Sequence, residues 1–580
     1  MSGRGSRVSW RLIALALLFT ASAVGLVGRL VYLQILNHDY YAREAEQEHL
    51  SRQTLSPTRG AILDRNGYPL ATTLDAFDLF IERQAWQDRP STREWAVDLA
   101  PLVGESAEDI LEGVAAEPEG DYTLALALDY DKGRSIIDMG LPGLKAVPST
   151  RRFYPEGDLA SALLGFTGRD HVGLAGLESD LQEELAGTPG DLYFERDSMG
   201  TPIPFGRSRG KPAVPGGDVR LTIDRYVQRL VEQELDKQIE RHAASGGTII
   251  VMDPQSGAIL ALASRPSFRL SRLDLSGDVD PALFRNRAVT DVYEPGSVMK
   301  VITMATAVDL GLVNGNTTYY DAGYVTVGGY TITNWDYSAY GTQTATELLQ
   351  KSLNTGAIWL SGLIGPENFY SYVRRFGFGE PTNSGLGGEA TGLVRSSDEE
   401  GWYPVDLATN SFGQGVAVTP LQVITAVAAI ANGGKLMRPY IVEEVVGPQG
   451  RRAYEPVIVS QPISEPAAQA VAQMMNQVVE GVPYHLARVP GYHVGGKTGT
   501  TIVSIPGGYD LNSTIASFVG FSPVQDPKII MLVKIDEPKD DPLGGRVAAP
   551  IFGSLAPEIL AYLNVKPDAL ELVEGGTFEP

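Results

Sequence analysis

Tyr293-Glu294-Pro295-Gly296-Ser297-Val298-Met299-Lys300 is the stretch on which the reading of this chain turns. Pro295-Gly296 breaks any preceding element, and the run that follows, VITMATAVDLGL, has the apolar spacing of a helix. Ser297 is therefore expected at a helix N-terminus. Lys300, three residues on, projects from the same face of the first turn. A serine hydroxyl is a poor nucleophile near neutral pH. A neighbouring amine serves as its base if desolvation or nearby cations hold it neutral. The free N–H groups of a helix start also lie where an oxyanion could form. The spacing S-x-x-K is weak by itself, because Ser208-Arg209-Gly210-Lys211 matches it as well. Gly206 to Gly210 even matches the G-x-S-x-G of hydrolase nucleophile elbows. Gly210 and Pro212 forbid a regular helix there and no strand–turn–helix context surrounds it, so a solvated basic loop is expected.

Two further signals lie downstream. Ser352-Leu353-Asn354 follows the helical run ATELLQK. A hydroxyl and an amide one residue apart can project to the same side of a loop, although both residues also favour helix caps. Gly495-Gly496-Lys497-Thr498-Gly499-Thr500 is flanked by apolar and β-branched residues and is read as a strand edge. Lys497 with the hydroxyls of Thr498 and Thr500 would face a bound anion such as a carboxylate. Gly499 would leave room for close backbone approach of a ligand. A phosphate loop is set aside because no helix follows.

Working outward, the chain has 580 residues and 62.3 kDa, which suggests two to four domains. Hydrophobic residues make up 43% and charged residues 20%, a globular composition. The absence of cysteine excludes disulfides, thiolate metal sites and a cysteine nucleophile. The six histidines, His38, His49, His171, His242, His485 and His493, show no metal-binding spacing. A formal net charge of −23 argues against nucleic acid as the main partner.

Arg4, Arg7 and Arg11 precede an apolar run from Leu12 to Gly28, and apolarity resumes after Arg29. Ala21-Ser22-Ala23 supplies the small residues of a signal-peptidase site. Apolarity continues past Ala23, which favours a retained single-pass anchor over 12–36 with a cytoplasmic tail at 1–11. A polar helix is expected over 37–55, and Asn66-Gly67 is a hairpin turn with an apolar strand before it. Residues 202–217, rich in Gly and Pro, are read as loops. A helix is expected around Asp224–Arg241, then strands at 248–252 and 258–263. A catalytic domain is placed at 246–566 and a loose acidic tail at 567–580, with Asp568, Glu571, Glu574 and Glu579. No internal repeat is present.

Taken together and in this order, S-x-x-K, S-x-N and K-T-G form the signature of penicillin-recognising serine acyl-transferases. The chain resembles class B penicillin-binding proteins, the monofunctional peptidoglycan D,D-transpeptidases, from the anchor to about residue 560. RGAILDRNGYPLA at 59–71, Arg152-Phe153-Tyr154-Pro155 with Leu164-Gly165-Phe166, and Gly173-Leu174-Ala175-Gly176-Leu177-Glu178 look like that class's pedestal motifs. Gly413-Gln414-Gly415 with Thr419-Pro420-Leu421-Gln422, and Ser517-Phe518-Val519-Gly520-Phe521, resemble its transpeptidase domain. The resemblance implies an α+β chain: a transmembrane helix, an elongated pedestal or dimerisation domain over 37–245, and a transpeptidase domain whose antiparallel sheet is flanked by helices. Five strands are expected in it, two from 248–263 and three from 497–503, 516–521 and 529–535, with helices between them and after Pro550.

The resemblance also implies roles. Ser297 would attack the penultimate D-Ala carbonyl of a stem peptide and Lys300 would take its proton. The N–H groups of Ser297 and Thr500 would form the oxyanion hole. Ser352 would relay a proton to the leaving D-Ala, and Asn354 would hold the substrate amide and support Lys300. Lys497 would tune the site, and Thr498, Gly499 and Thr500 would bind the terminal carboxylate end. β-Lactams would acylate Ser297, and no metal or cofactor is implied. Implied partners are peptidoglycan stem peptides, the membrane, a SEDS-type glycosyltransferase and divisome or elongation proteins. The segment RRFYPEGDLASALLGFTG leans towards the septal type. The alternatives are a D,D-carboxypeptidase, or a protein that hydrolyses or senses β-lactams with the same serine.

Overall fold

The computed structural model describes residues 10–41, 50–87, 89–195, 208–273 and 279–569. Apolarity alone dictates the first element. Trp10–Val31 forms helix α1, continued by a wider turn over Tyr32–Leu36. The 27-residue span Trp10–Leu36 contains an 18-residue window with a mean hydropathy of 2.0 and is long and apolar enough to cross a membrane. Of the polar helix expected over 37–55, residues 38–41 are helical and 42–49 lie outside the described residues. Leu50–Leu55 is strand β1 instead. The acidic tail from residue 570 also lies outside the described residues.

The chain continues through β2 (Ile62–Leu63) and β3 (Pro69–Glu82). The turn between them forms as expected. Gly67 takes a left-handed φ of 83°, and Asp64 Oδ1 accepts the amides of Asn66 and Tyr68 at 2.8 Å each. Further strands are β4 (Asp121–Asp129), β5 (Leu144–Phe153), β6 (Gly190–Glu195), β7 (Ser208–Lys211) and β8 (Asp218–Leu221). Strands β1, β6 and β7 form a small antiparallel sheet. That pairing corrects two expectations. Cross-strand partners hold 50–55 and 208–211 extended, where local sequence read helix and loop.

Residues 59–186 and 216–580 form one compact unit, and residues 1–58 with 187–215 form another. In the larger unit, β4 and β5 flank β3, and β2 and β8 continue the same sheet. Three pedestal motifs meet beneath it. Glu178, fully buried, accepts Arg59 Nε at 2.7 Å and Arg152 Nε at 2.6 Å. Arg59 is satisfied in turn by the Glu178 and His171 carbonyls and by Gln182, and Arg152 Nη1 donates to the Gly60 carbonyl while its Nη2 is buried without a partner among the described residues. Paired, hydrogen-bonded charge of this kind tolerates burial where a lone ion would not.

Helix α2 (Arg225–Arg241) is capped by Asp224, whose carboxylate accepts the amides of Tyr226 and Val227. Strands β9 (Gly246–Met252) and β10 (Ile259–Arg265) follow, then helix α3 (Met299–Asp309) and the short strands β11 (Thr318–Asp321), β12 (Tyr324–Val327) and β13 (Tyr330–Thr333). Helices α4 (Ala345–Lys351), α5 (Asn354–Ile364), α6 (Pro420–Ala431) and α7 (Glu465–Glu480) come next. Strands β14 (Gly495–Ile505), β15 (Gly508–Ser522) and β16 (Ile529–Asp536) and helix α8 (Gly544–Tyr562) complete the domain.

The five-stranded sheet has the order β10-β9-β16-β15-β14, and every neighbour is antiparallel. Its strands are apolar on both faces because both are covered. Ile249 and Val251 pack with α2 and α8, while Ile250 and Met252 face the core around α3, α6 and α7. A helix was expected after Pro550, but α8 starts at Gly544 and runs through Pro550 and Pro557. Burial of Val547, Phe552, Leu555 and Ile559 against the sheet outweighs the backbone bonds that the prolines remove.

Candidate active site

Ser297 lies in a 3₁₀ turn, Gly296–Val298, that runs directly into α3. The turn is forced by what surrounds it. Gly296 adopts a φ of 55°, and its amide donates to Gly413 O at 3.2 Å. A Cβ on Gly413 would run into the Gly296 backbone. On the other side, a Cβ on Gly499 would strike Ser517 Oγ and come within 3.0 Å of Pro295 O. Gly499 therefore lets the serine turn lie against β14.

Lys300 is completely buried, on the first turn of α3. Its Nζ lies 3.0 Å from Ser297 Oγ, 2.8 Å from Asn354 Oδ1, 2.7 Å from Ser352 O and 3.3 Å from Ser352 Oγ. Burial first, and then the charge of Lys497, holds its pKa well below the ordinary lysine value. Ser352 ends α4 in a left-handed conformation, φ 56°, and Asn354 opens α5. The two residues therefore flank a sharp bend between helices, and both reach the lysine. Asn354 Nδ2 donates to Thr333 O at 2.9 Å.

Lys497 reaches the same point from β14, the edge strand of the sheet. Its Nζ is 3.0 Å from Ser352 Oγ and 3.0 Å from Thr498 O. Burial pulls its pKa down to about 7. Ser352 Oγ thus bridges two buried amines. Thr498 Oγ1 is 3.4 Å from Lys497 Nζ, while Thr500 Oγ1 accepts the Gly544 amide at the start of α8, at 3.0 Å.

All three motifs converge on one point, with Ser297, Lys300, Ser352, Asn354 and Lys497 in a continuous hydrogen-bonded chain. Gly491 to Thr498 satisfies the letters of a phosphate-loop pattern, but residues 495–505 are a strand, with no helix to bind phosphate. Ser208–Lys211 is likewise a strand, with Arg209 and Lys211 exposed and no helix start. The motif reading passed over Glu294. Its Oε1 accepts the Gly415 amide and the Tyr509 hydroxyl at 3.0 Å each, tying the serine turn to the 413–415 loop and to β15. Burial raises its pKa. Its place in the opening stretch, a carboxylate among apolar residues, was the available signal.

Comparison with known proteins agrees with this geometry. Residues 247–556 match the penicillin-binding protein transpeptidase domain, and residues 54–221 match the penicillin-binding protein dimerisation domain. The chain is 35% identical over 552 residues to stage V sporulation protein D of Bacillus subtilis, covering 93% of this chain and 83% of that protein. It is 32% identical over 570 residues to the peptidoglycan D,D-transpeptidase FtsI of Escherichia coli, covering 97% and 93%. Among solved structures it resembles penicillin-binding protein 3 of Mycobacterium tuberculosis, complexed with aztreonam. That match has a TM-score of 0.68 at 28% identity and covers 89% of this chain and 98% of that one. A serine beside a buried lysine, the transpeptidase and dimerisation domains, and relatives matched along nearly their whole length lead to one conclusion: the chain is a single-pass membrane protein of the class B penicillin-binding family, the serine-type peptidoglycan D,D-transpeptidases that cross-link the cell wall.

Proposed function

We propose that Ser297 is the acylated nucleophile and Lys300 its general base. One observation carries this reading: an amine with a depressed pKa lies 3.0 Å from the serine hydroxyl, inside the protein. Ser297 Oγ bonds to the carbonyl carbon of the penultimate D-Ala and passes its proton to Lys300 Nζ. The tetrahedral oxyanion is held by the N–H groups of Ser297 and Thr500, a donor of this kind being worth roughly 10²–10³ in rate. Collapse breaks the C–N bond, and the Ser352 hydroxyl hands its proton to the departing D-Ala amine while taking the one held by Lys300, 3.3 Å away. An amine from a second stem peptide then attacks the ester carbon, and Ser297 recovers its proton. Asn354 holds the substrate amide and Lys300 together, while Lys497, Thr498 and Thr500, with Gly499 between the threonines, receive the terminal carboxylate. β-Lactams, which mimic D-Ala-D-Ala, acylate the same serine.

Arg4 and Arg7 precede the membrane span and Arg11 lies in its first turn, which supports a cytoplasmic N-terminus and an extracytoplasmic catalytic domain. The similarity to FtsI supports work at division, and the family resemblance implies a SEDS-type membrane glycosyltransferase and divisome proteins as partners. The test is the fate of the acyl group. Given a D-Ala-D-Ala stem-peptide donor and excess amine acceptor, the enzyme should release D-Ala and form the acceptor-linked product. Release of D-Ala with only hydrolysed peptide would instead mark a carboxypeptidase.

A further inference from the structure

We propose that Asp321 is a positioning residue that holds the Ser352–Asn354 bend against Lys300; the proposal rests on the roles just given. Asp321 ends β11 with no exposed surface. Its carboxylate collects four donors. Oδ1 accepts Thr355 Oγ1 at 2.7 Å and the Gly323 amide at 2.9 Å, and Oδ2 accepts the Tyr340 amide at 3.0 Å. Asn334 Nδ2 lies 3.1 and 2.9 Å from the two oxygens. Among the described residues no lysine or arginine pairs with it, so neutral donors alone satisfy this buried carboxylate.

The network leads to the catalytic bend. Asn334 is nearly fully buried, and its Oδ1 accepts the Thr355 amide at 3.3 Å, one residue past Asn354. The neighbours of Asn334 grip the same bend. Thr333 O accepts Asn354 Nδ2 at 2.9 Å, and Trp335 Nε1 donates to Lys351 O at 3.1 Å, one residue before Ser352. Residues 333–335 therefore hold the chain on both sides of Ser352, which itself sits at a φ of 56° that a serine rarely adopts. Such a conformation persists only where the surroundings over-determine it. Asp321 fixes Asn334 and Thr355 together, and through them the aim of Ser352 and Asn354 at Lys300.

The acceptor geometry demands a carboxylate. An amide at 321 would turn an NH₂ group against converging donors. Thr355 offers a milder test, because valine removes the hydroxyl and keeps the shape while serine keeps the hydroxyl. The full-length chain in detergent is labelled with a fluorescent penicillin, and both the acylation rate constant and the final label per chain are read. Asp321→Asn and Thr355→Val should slow acylation by about 10- to 100-fold, the scale of a small misplacement at an active site, with label still reaching one per chain. Thr355→Ser should keep nearly the full rate. A Thr355→Val chain that labels at the wild-type rate would overturn the proposal. So would one whose labelled fraction drops while its rate is unchanged, since that is loss of fold. If Asp321→Asn does not fold, the Thr355 pair decides alone. Labelling that survives Ser297→Ala would overturn the site assignment instead, independently of Asp321.

Discussion

Two buried amines, Lys300 and Lys497, share the Ser352 hydroxyl. Burial and the charge of Lys497 hold the Lys300 pKa well below the ordinary lysine value, and burial brings Lys497 to about 7. The charge of Lys497 lowers Lys300 beyond what burial does, which favours Lys300 as the base and Lys497 as its charged neighbour. In the proposed mechanism the reactive form has Lys300 neutral and Lys497 charged. Acylation by penicillin should therefore rise with pH as Lys300 loses its proton, and fall above about 7 as Lys497 does. Lys497→Met removes a like charge from beside Lys300, so the Lys300 pKa should rise and the ascending limb should move to higher pH. Rate measurements across pH on both proteins check the sign. An unmoved or downward-shifted limb would mean that the two amines do not interact. At this scale the sequence was most legible. The three motifs name the residues that meet, because each carries a chemical group at a spacing that local structure fixes. Asp321, Asn334 and Thr333 were not legible, because their roles depend on contacts between segments 20 or more residues apart.

Elements were legible where periodicity is strong. The strands at 246–265 and 529–536 and the helix from Arg225 follow the expected pattern. Misreadings fall where tertiary pairing overrides local preference: Leu50–Leu55 and Ser208–Lys211 become strands, and α8 passes through Pro550. The pedestal illustrates the other direction. Three motifs recognised only by resemblance prove to share one physical purpose, the buried Arg59–Glu178–Arg152 cluster. Glu178→Ala would strand two buried guanidinium groups, at a cost of about 3–5 kcal/mol. Thermal unfolding should show a markedly lower midpoint for this variant. A midpoint equal to the wild type would show that the cluster is dispensable to the pedestal.

For the molecule as a whole, the apolar span Trp10–Leu36 and the catalytic serine answer one requirement. On the proposed reading, anchoring would confine the enzyme and its membrane-embedded partner to two dimensions, which raises their effective concentration. Burial of the span gains free energy that salt hardly alters, so a high-salt wash should leave the chain in the membrane. The central claim is tested on that membrane-bound chain. It is reacted with penicillin and digested, and the adduct is located by mass spectrometry. One penicilloyl group is expected, on the peptide containing Ser297, and none in the Ser297→Ala chain. An adduct at Ser208 or at any other residue, or an unmodified Ser297 in folded protein, would contradict it.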